Sequence, residues 1–586
     1  MAVQTRARRR TQAARRPPPA GRRIALGPAF ALLVAALAVL VYLNALHNPF
    51  VYDDHDTVLG NRSLVDLSNV RFIFLYSLYR PVVNVSYALD RAIWGFAPFG
   101  FHLTSVLLHA LVVLLFYAWC VRALRDTAPG GDATGAEWPA FIAASLYAVH
   151  PMMTEAVGYV SGRSEVLCAA GMLASLLCAR RAILRGDRGA GIAAGVFGLL
   201  AAASKETAAA LPVVLIAYDA WALSPRVGGF RRRMWRVYGP TGALSIVAAS
   251  VRLHTLLSAE AQPGRGPFEN LMTQAIVVWR YLSLLVWPAG QTVMHVVRFV
   301  TQPSDAPALI AAAGLLVIVA AAFWAHARAP LAAIGTVWFF AALAPSSSIV
   351  PLREGMAEHR VYVAMGGVLL VAAAALRALS ASPHRARRVR TVGAAVVIVL
   401  ALLTVRRNVV WGSAVGLWAE AASHAPGMWE PHYALADALR EAGACARAIP
   451  EYEIVLRLRP SHEAARLNEG ICLAQTGRAA EAEAAFRRAL ALDPQAVRAY
   501  TNLGALAIVE GHPEQARDAY LQAVRVDPGN VLARMQLASL YEQVFHDYHA
   551  AARMCGEARA IAPFTPGVAE CAERNRRLAA EHDAGR

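Results

Sequence analysis

The feature that most limits what this chain can fold into is a succession of long apolar runs between residues 24 and 405, separated by short loops rich in arginine. A helix of about 20 apolar residues is long enough to cross the hydrocarbon core of a bilayer. Hydrophobic residues make up 57% of the chain and its mean hydropathy is +0.40, which excludes an ordinary soluble protein. The sequence therefore predicts an all-α fold whose larger part is a polytopic membrane domain.

The apolar runs predict about eleven membrane spans. They lie at 24–46, 101–123, 138–150, 166–182, 189–203, 207–222, 237–257, 306–325, 329–344, 361–378 and 391–405. Several are shorter than a bilayer requires of an isolated helix. Short spans are tolerated where irregular backbone lines a protein cavity, so they indicate a central site.

The arginine-rich loops predict the orientation of these spans. Residues 1–23 are rich in arginine and proline and are expected to form a disordered cytoplasmic tail, followed by a retained first span. The later arginine-rich loops all lie on the cytoplasmic side only if the run 271–288, which Arg280 interrupts, does not cross the membrane. We interpret that run as an amphipathic or re-entrant segment on the outer face, which puts the C-terminus on the extracytoplasmic side of the membrane. Arginine bias suggests a bacterial source and hence a bacterial inner membrane.

The composition changes near residue 413 to alanine, glutamate and arginine with a 34-residue period. Prolines, glycines and aromatic residues recur at this spacing: Pro426, Pro460, Pro494 and Pro528; Gly443, Gly477 and Gly511; Tyr452, Phe486 and Tyr520. This period is typical of tetratricopeptide repeats, an α-solenoid in which each glycine is expected to permit close packing of two helices. The last repeat, with Phe545 and Met554 in place of the glycine and the aromatic, is a degenerate cap.

These changes divide the chain into four parts. We predict a tail at 1–23, a membrane domain at 24–412, about four repeats at 413–578 and a C-terminal tail at 579–586. Seven cysteines without a CxxC pair argue against a zinc site or a redox motif. Cys555 and Cys571, 16 residues apart, could form a disulfide in an oxidising compartment, although the sequence does not show whether their Cα atoms lie within about 7 Å.

An acidic cluster follows the first span directly. Asp53, Asp54 and Asp56 surround His55 at the point where the chain leaves the bilayer. Paired carboxylates suit general-base chemistry, because each raises the pKa of the other. The alternative is a solvated loop that caps a helix.

Further ionisable residues follow other spans on the same predicted face. They are Arg80, His150, Glu155, Arg163, Glu165, Lys205, Glu206, Glu358, His359 and Arg360. Each has a structural explanation too; Lys205 and Glu206, for example, could form an ion pair in a turn. Their convergence on one face, opposite the arginine-rich loops, favours a shared cavity, because ionisable groups near the membrane are functional candidates by default.

This grouping suggests two chemical roles. The carboxylates Asp53 and Asp54 would deprotonate a hydroxyl group, while Arg80, Arg163, Lys205 and Arg360 would bind an anionic leaving group such as phosphate. We assign a supporting role to His150, Glu155, Glu165, Glu206, Glu358 and His359. No Walker or GxGxxG motif is present, so the pattern favours a lipid-linked phosphate donor over a soluble nucleotide.

Lys205 is the only lysine in the sequence, and every other basic residue apart from histidine is arginine. A lone lysine suggests a site that requires a compact ammonium group instead of a planar guanidinium. It could also survive by chance in an arginine-biased genome.

Six segments resemble the transmembrane and tetratricopeptide-repeat O-mannosyltransferases and their bacterial relatives, which belong to the glycosyltransferases with the GT-C fold. The resemblance covers residues 40–560. It is carried by NPFVYDDHDTVLGN (48–61), YRPVVNVSYALD (79–90), FHLTSVLLHAL (101–111), HPMMTEAVGYVSGRSE (150–165), SKETA (204–208) and AEHRVYV (357–363). The first and fourth segments are the most specific.

The resemblance implies an inverting transfer of a hexose, mannose in that family, from polyprenyl or dolichyl phosphate to Ser/Thr hydroxyls of a protein. Asp53 would match the catalytic carboxylate and Asp54 its acidic neighbour. Other motif positions are matched by Arg163, Glu165, Lys205, Glu206, Glu358 and Arg360. The segment after Trp287-Pro288 departs from the family, with Met294-His295 in place of an acidic-aromatic pair, so the sugar or the acceptor could differ.

We therefore expect a membrane glycosyltransferase whose repeats recruit a protein acceptor on the extracytoplasmic side. It would need neither a cofactor nor a metal, and it would not bind nucleic acid. One alternative is a non-enzymatic repeat scaffold for envelope assembly that uses the membrane domain as an anchor. Another is a transporter or flippase, which would bury its charged residues at the middle of the membrane.

Overall fold

The computed structural model describes residues 26–78, 80–128, 135–233, 238, 266–347, 351–352 and 354–584. Every regular element within these ranges is helical, so the predicted all-α fold is confirmed. The predicted tail at 1–23 and almost all of the predicted span at 237–257 lie outside the described residues. The chain divides into two compact units, residues 1–286, 300–353 and 358–408 in the first and residues 287–299, 354–357 and 409–586 in the second.

The first unit consists of helices joined by short 3₁₀ and π turns. Its described helices are α1 (Leu26–Leu40), α2 (Val70–Tyr76), α3 (Pro81–Trp94), α4 (Pro98–Asp126), α5 (Glu137–Val149), α6 (Thr154–Val157), α7 (Arg163–Arg185), α8 (Arg188–Ala202), α9 (Ala210–Tyr218), α10 (Ser224–Val227), α11 (Phe230–Arg233), α12 (Pro267–Val286), α13 (Ala306–Ala325), α14 (Pro330–Leu343), α15 (Val361–Leu379) and α16 (Pro383–Val410).

Seven described segments are long and apolar enough to cross a membrane. They are Gly27–Ala45, Pro98–Asp126, Val160–Arg185, Glu206–Val227, Ala306–Ala325, Glu358–Leu379 and Pro383–Val410. The apolar helices α8 and α14 are shorter, and α5 has only 13 residues. Helix α12, which contains most of the run 271–288, is not among the seven. A membrane domain with several spans is thus supported, and the number eleven stays a prediction.

Glycines allow two pairs of helices in this unit to approach closely. A Cβ atom at Gly171 of α7 would lie 2.9 Å from Cβ of Ala201 in α8, and one at Gly335 of α14 would collide with the carbonyl oxygen of Gly367 in α15. Small residues at such contacts are typical of membrane helices, whose association depends on close van der Waals packing. This packing fixes α7, whose first turn carries Arg163 and Glu165, and α15, which follows directly after the turn Glu358–Arg360.

The second unit contains a run of antiparallel helix pairs, which confirms the predicted tetratricopeptide repeats. After α17 (Ala414–His424), its helices are α18 (Trp429–Glu441), α19 (Cys445–Leu458), α20 (Glu463–Gln475), α21 (Ala479–Leu492), α22 (Val497–Val509), α23 (Pro513–Val526), α24 (Val531–Gln543), α25 (Tyr548–Ile561) and α26 (Val568–Ala584). Because α26 continues to Ala584, the predicted tail at 579–586 is helical over its described part.

The repeat glycines have a different role from the predicted one. Gly443, Gly477 and Gly511 adopt φ values of 72°, 80° and 77°, and a Cβ atom at any of them would meet nothing within 4 Å. They are left-handed residues that end the first helix of each pair, a conformation that glycine adopts without a steric penalty. In the degenerate repeat, His546 with φ 52° takes this conformation, one residue after Phe545.

Close packing within a repeat depends on two other glycines. A Cβ atom at Gly470 or Gly504 would lie 2.6 Å from the ring of Phe486 or Tyr520, respectively. Both rings belong to the predicted series of repeat aromatics and are buried. The glycine in the first helix therefore makes space for the aromatic ring of the second.

Two disulfides join neighbouring helices of the repeat unit. Cys555 of α25 bonds Cys571 of α26, with Cα atoms 5.7 Å apart, which confirms the predicted pairing. Cys445 of α19 bonds Cys472 of α20, with Cα atoms 4.9 Å apart, a pair that the sequence analysis did not identify. Disulfides persist in oxidising compartments, so these bonds agree with an extracytoplasmic repeat unit.

We expect the purified, unreduced protein to expose three thiols on denaturation, those of Cys120, Cys168 and Cys178, because the other four cysteines are paired. Alkylation followed by mass spectrometry measures this directly. Reduction before alkylation should label all seven cysteines and serves as the control. Alkylation of Cys445 or Cys555 without reduction would contradict the pairing.

Candidate active site

Asp53 lies at a strained turn after α1. The preceding residue, Tyr52, has φ 55°, a left-handed conformation that costs a non-glycine residue about 1 kcal/mol or more. The ring of Tyr52 stacks on Tyr159 at 5.9 Å, and the backbone N–H of Asp53 donates to the Tyr159 hydroxyl at 3.2 Å. Asp53 is exposed. Tyr159 thus holds the turn that presents Asp53 at the protein surface.

Asp54 has a different environment from its neighbour, because it is completely buried. Its Oδ1 accepts hydrogen bonds from the backbone N–H and the hydroxyl of Ser161, at 2.8 and 2.7 Å, and its Oδ2 accepts one from the N–H of Val51 at 3.3 Å. Burial raises the pKa of Asp54 to about 7, although the hydrogen bonds from Ser161 lower it. The raised pKa was expected from the neighbouring carboxylate, but its main physical cause is the loss of hydration on burial.

The segment from Glu155 to Glu165, which contains α6 and the first turn of α7, connects the predicted site residues. We refer to it as the 155–165 segment. Besides Ser161, three of its side chains form ion pairs or charge-assisted hydrogen bonds with other parts of the first unit: Glu155, Arg163 and Glu165. Motifs that are far apart in sequence meet through this one segment.

Arg163 is fully buried and forms an ion pair with Asp90 of α3, with Nη1 and Oδ2 2.6 Å apart. Its Nε donates to the Ser105 hydroxyl at 3.1 Å and its Nη2 to the carbonyl of Phe101 at 2.6 Å. Because each nitrogen of the guanidinium group has a protein partner, we assign Arg163 to holding α3, α4 and α7 together. Its role in binding the donor stays a prediction.

Lys205 and Glu165 form a second buried ion pair, with Nζ and Oε1 2.8 Å apart and side chains 5% and 0% exposed. Lys205 lies in extended backbone before the 3₁₀ turn Glu206–Ala209. Next to it, Glu206 accepts from Nη2 of Arg80 at 3.3 Å, and the Arg80 side chain is 29% exposed. The lone lysine therefore has a specific carboxylate partner, while Arg80 keeps part of its surface accessible.

Glu155 joins the segment to the turn before α15. Its Oε1 lies 2.6 Å from Nδ1 of His359, and its Oε2 accepts from the backbone N–H of Glu358 at 2.9 Å. Glu358 and Arg360, in the same 3₁₀ turn, are both buried. The turn that carries these predicted residues is thus fixed by a carboxylate of the 155–165 segment.

His150 is held by two backbone groups. Its Nδ1 accepts from the N–H of Met152 at 3.2 Å, so Nε2 carries the proton and donates to the carbonyl of Leu285 at 3.1 Å. This histidine caps the 3₁₀ turn Pro151–Met153 and connects it to α12.

The buried ring of Tyr87 lies close to several of these charged groups. Its hydroxyl donates to the carbonyl of Val160 at 3.1 Å. Burial raises the pKa of Tyr87, and the charges near enough to influence it are those of Asp54, Arg80, Asp90 and Arg163. The structure thus brings residues from the first loop, α3 and α7 together, as the sequence analysis predicted.

Asp90, Tyr159 and Ser161 are among the residues of this arrangement that were not singled out from the sequence. Each lies inside a segment that carries the resemblance, Asp90 at the end of 79–90 and the other two within 150–165. Sequence alone does not distinguish these supporting residues from their neighbours. Among the described residues, no three His, Cys, Asp or Glu side chains lie close enough together to hold a metal ion.

The repeat unit matches two family models, both described as Tetratricopeptide repeat, at residues 433–497 and 497–530. Among curated proteins, Protein O-mannosyl-transferase TMTC1 of Homo sapiens is 25% identical over 79% of this chain and 59% of its own length. Protein O-mannosyl-transferase TMTC2 of Mus musculus is 34% identical over 25% of this chain and 18% of its own. Protein O-mannosyl-transferase Tmtc1 of Drosophila melanogaster is 33% identical over 30% and 21%.

This chain therefore covers less than two thirds of the length of each of these relatives. Among solved structures, MamA is 20% identical over 25% of this chain and 85% of its own, with a TM-score of 0.24, which is too low to support an argument.

We expect the Asp54→Asn substitution to change how stability depends on pH. Asp54 has a pKa of about 7 in the folded protein against an ordinary value of 3.8, so the folded state binds more protons between these values. Its contribution to the free energy of unfolding is complete below the ordinary value and is lost as the pH rises through 7. Unfolding midpoints of the solubilised protein should fall less in Asp54→Asn than in wild type from about pH 5 to pH 8.

The matched control is Asp56→Asn, a change at an exposed carboxylate of the same loop, which should keep the wild-type slope. Equal slopes in wild type and Asp54→Asn would show that Asp54 does not titrate in this range. Any loss of stability common to all pH values reflects the altered hydrogen bond to Val51 instead.

Proposed function

We propose that this chain, which is similar to protein O-mannosyl-transferases in part of its length and carries tetratricopeptide repeats, is a membrane-embedded glycosyltransferase of that family. It would transfer a hexose, mannose by family, from a polyprenyl phosphate to Ser/Thr hydroxyls of a protein. The proposal rests on one observation. An exposed carboxylate, Asp53, lies next to the 155–165 segment, which forms buried ion pairs that include the cations Arg163 and Lys205. A scaffold with a membrane anchor has no need of such an arrangement.

In the proposed reaction Asp53 acts as the general base. Its carboxylate takes the proton of the acceptor hydroxyl while the hydroxyl oxygen attacks the anomeric carbon of the sugar. The bond from that carbon to the phosphate oxygen breaks, and its electron pair leaves with the lipid phosphate. Attack from the face opposite the leaving group inverts the anomeric configuration. Asp53 suits this role because its side chain is exposed and therefore accessible to an acceptor.

The leaving phosphate would be bound by the cations near Glu206. Arg80 is the better placed guanidinium, because part of its side chain is accessible while Arg163 has none exposed. Lys205 lies next in the chain to Glu206 and supplies a second positive charge, held in place by Glu165. Charge developing on a phosphate is stabilised most strongly by donors that are already fixed before the reaction. Arg360 is retained as a further candidate for this site.

The repeat unit would recruit the acceptor. Tetratricopeptide repeats form extended concave surfaces that bind other proteins, and the two disulfides support a place outside the cytoplasm. We place the protein in the inner membrane of a bacterium, with its N-terminus in the cytoplasm. No metal or cofactor is part of the proposed reaction.

Replacement of Asp53 by Asn should abolish transfer, because the amide cannot accept a proton at neutral pH, and we expect a loss of at least about a hundredfold. The measurement is mass spectrometry of envelope glycoproteins from cells that carry the variant. Asp56→Asn, in the same loop, should retain wild-type modification. Full modification by Asp53→Asn would favour the scaffold alternative, provided that modification disappears when the protein itself is removed.

Replacement of Lys205 by Arg should lower transfer at least about tenfold, or roughly 1.4 kcal/mol in the barrier. The guanidinium group is larger than an ammonium, and the Lys205–Glu165 pair is buried at 2.8 Å. Amounts in the membrane and unfolding midpoints should stay near wild type. The Glu165→Met/Lys205→Met double variant removes both charges together, which avoids leaving one buried and unpaired. Wild-type turnover in that double variant would show that Lys205 is structural only.

A further inference from the structure

A groove of about 470 Å³ lies between α1, α4 and α5, away from the candidate active site. Its walls are small or apolar: Gly27, Ala31, Leu114, Leu115, Ala118 and Val121. Its polar lining consists of Tyr117, Arg122, Arg125 and Glu137. A long apolar wall with a few polar groups has the chemistry of a lipid site.

The polar groups of this groove are incompletely satisfied by the protein. Arg125 pairs with Glu137, at 3.1 Å between Nη2 and Oε1. Arg122 has no carboxylate partner among the described residues, and its Nη1 donates to the carbonyl of Ala118 at 2.6 Å. The Tyr117 side chain is only 5% exposed, yet its hydroxyl has no hydrogen-bond partner in the described part of the chain. A buried hydroxyl without a partner costs free energy, so a ligand that accepts from it would be stabilised.

Positive charge dominates around the polar lining. Asp126 is already occupied by Arg180, at 2.5 Å, and by Arg226, at 3.6 Å. Among the described residues, four guanidinium groups lie near two carboxylates here: Arg122, Arg125, Arg180 and Arg226 near Asp126 and Glu137. The surplus selects an anionic ligand.

The groove is distinct from the proposed reaction site. Ser105, which accepts from Arg163, precedes Arg122 by 17 residues on α4, a separation of about 26 Å along the helix axis. A sugar carrier whose phosphate lies near Arg80 and Lys205 would not be the ligand of Arg122. The chain's own residues 1–23 are a poor occupant as well, because their arginines carry the same charge as the groove.

We propose that this groove binds an anionic glycerophospholipid of the bilayer. Its phosphate diester accepts hydrogen bonds from the Arg122 guanidinium and the Tyr117 hydroxyl. One acyl chain lies along Leu114, Leu115 and Ala118 of α4, facing Ala31 of α1. Because α4 is long and apolar enough to span the membrane and Arg122 lies one turn before its end, the phosphate lies at the depth of lipid headgroups.

The test is a titration of the purified full-length protein in detergent with phosphatidylglycerol or phosphatidylcholine, with bound lipid counted by native mass spectrometry. We expect phosphatidylglycerol to bind more tightly. Arg122→Gln should weaken its binding about tenfold and Tyr117→Phe about threefold, as expected for losing a charged and a neutral hydrogen bond. Ala118→Phe, which fills the groove, should weaken both lipids.

The matched control is Arg185→Gln, which removes the same charge from an exposed residue in the last turn of α7 that does not line the groove. It should change phosphatidylglycerol binding less than about twofold. The proposal is overturned if Arg185→Gln weakens binding as much as Arg122→Gln, if the two lipids bind equally, or if glycerol phosphate competes at the same concentration as the lipid. Asp53→Asn should bind the lipid normally, so failure of the proposed reaction and failure of this site are separate outcomes.

Discussion

The set of polar contacts made by the 155–165 segment is the interaction on which the candidate site depends. Four of its side chains each bind a different part of the first unit: Glu155, Ser161, Arg163 and Glu165. Buried ion pairs add little net stability because desolvation offsets attraction, but removing one partner costs about 3–5 kcal/mol. The network therefore fixes positions more than it stabilises the fold. A catalytic site needs such fixed positions.

The same segment explains why two adjacent carboxylates can have different properties. The Tyr159 hydroxyl accepts a hydrogen bond from the strained turn on which Asp53 is exposed, whereas Ser161 donates a hydrogen bond to the buried side chain of Asp54. The exposed Asp53 is accessible to an acceptor, whereas the buried Asp54, with a pKa of about 7, is partly protonated at neutral pH. Mutual repulsion is not needed for this difference, because burial of one member is sufficient.

The accuracy of the sequence predictions depended on whether a feature was periodic or local. Apolar runs and the 34-residue period predict helices and repeats because they reflect a regular burial pattern. Ion-pair partners cannot be predicted in this way. Arg163 pairs with Asp90, which lies 73 residues earlier in the sequence, and no periodic pattern relates the two. The same limit applies to Cys445 and Cys472. Predicting their disulfide requires knowing where the two helices approach each other, and the spacing of the cysteines in the sequence does not show that.

The glycines of the repeats show the limit in a second way. The 34-residue period correctly identifies Gly443 as a repeat residue, but the close helix packing that was predicted for Gly443 depends on Gly470 instead. Both positions favour glycine, one because its φ is positive and the other because the ring of Phe486 fills the space of a Cβ atom. A single sequence shows only that glycine is present. The physical reason becomes visible when the backbone angle and the neighbouring atoms are known.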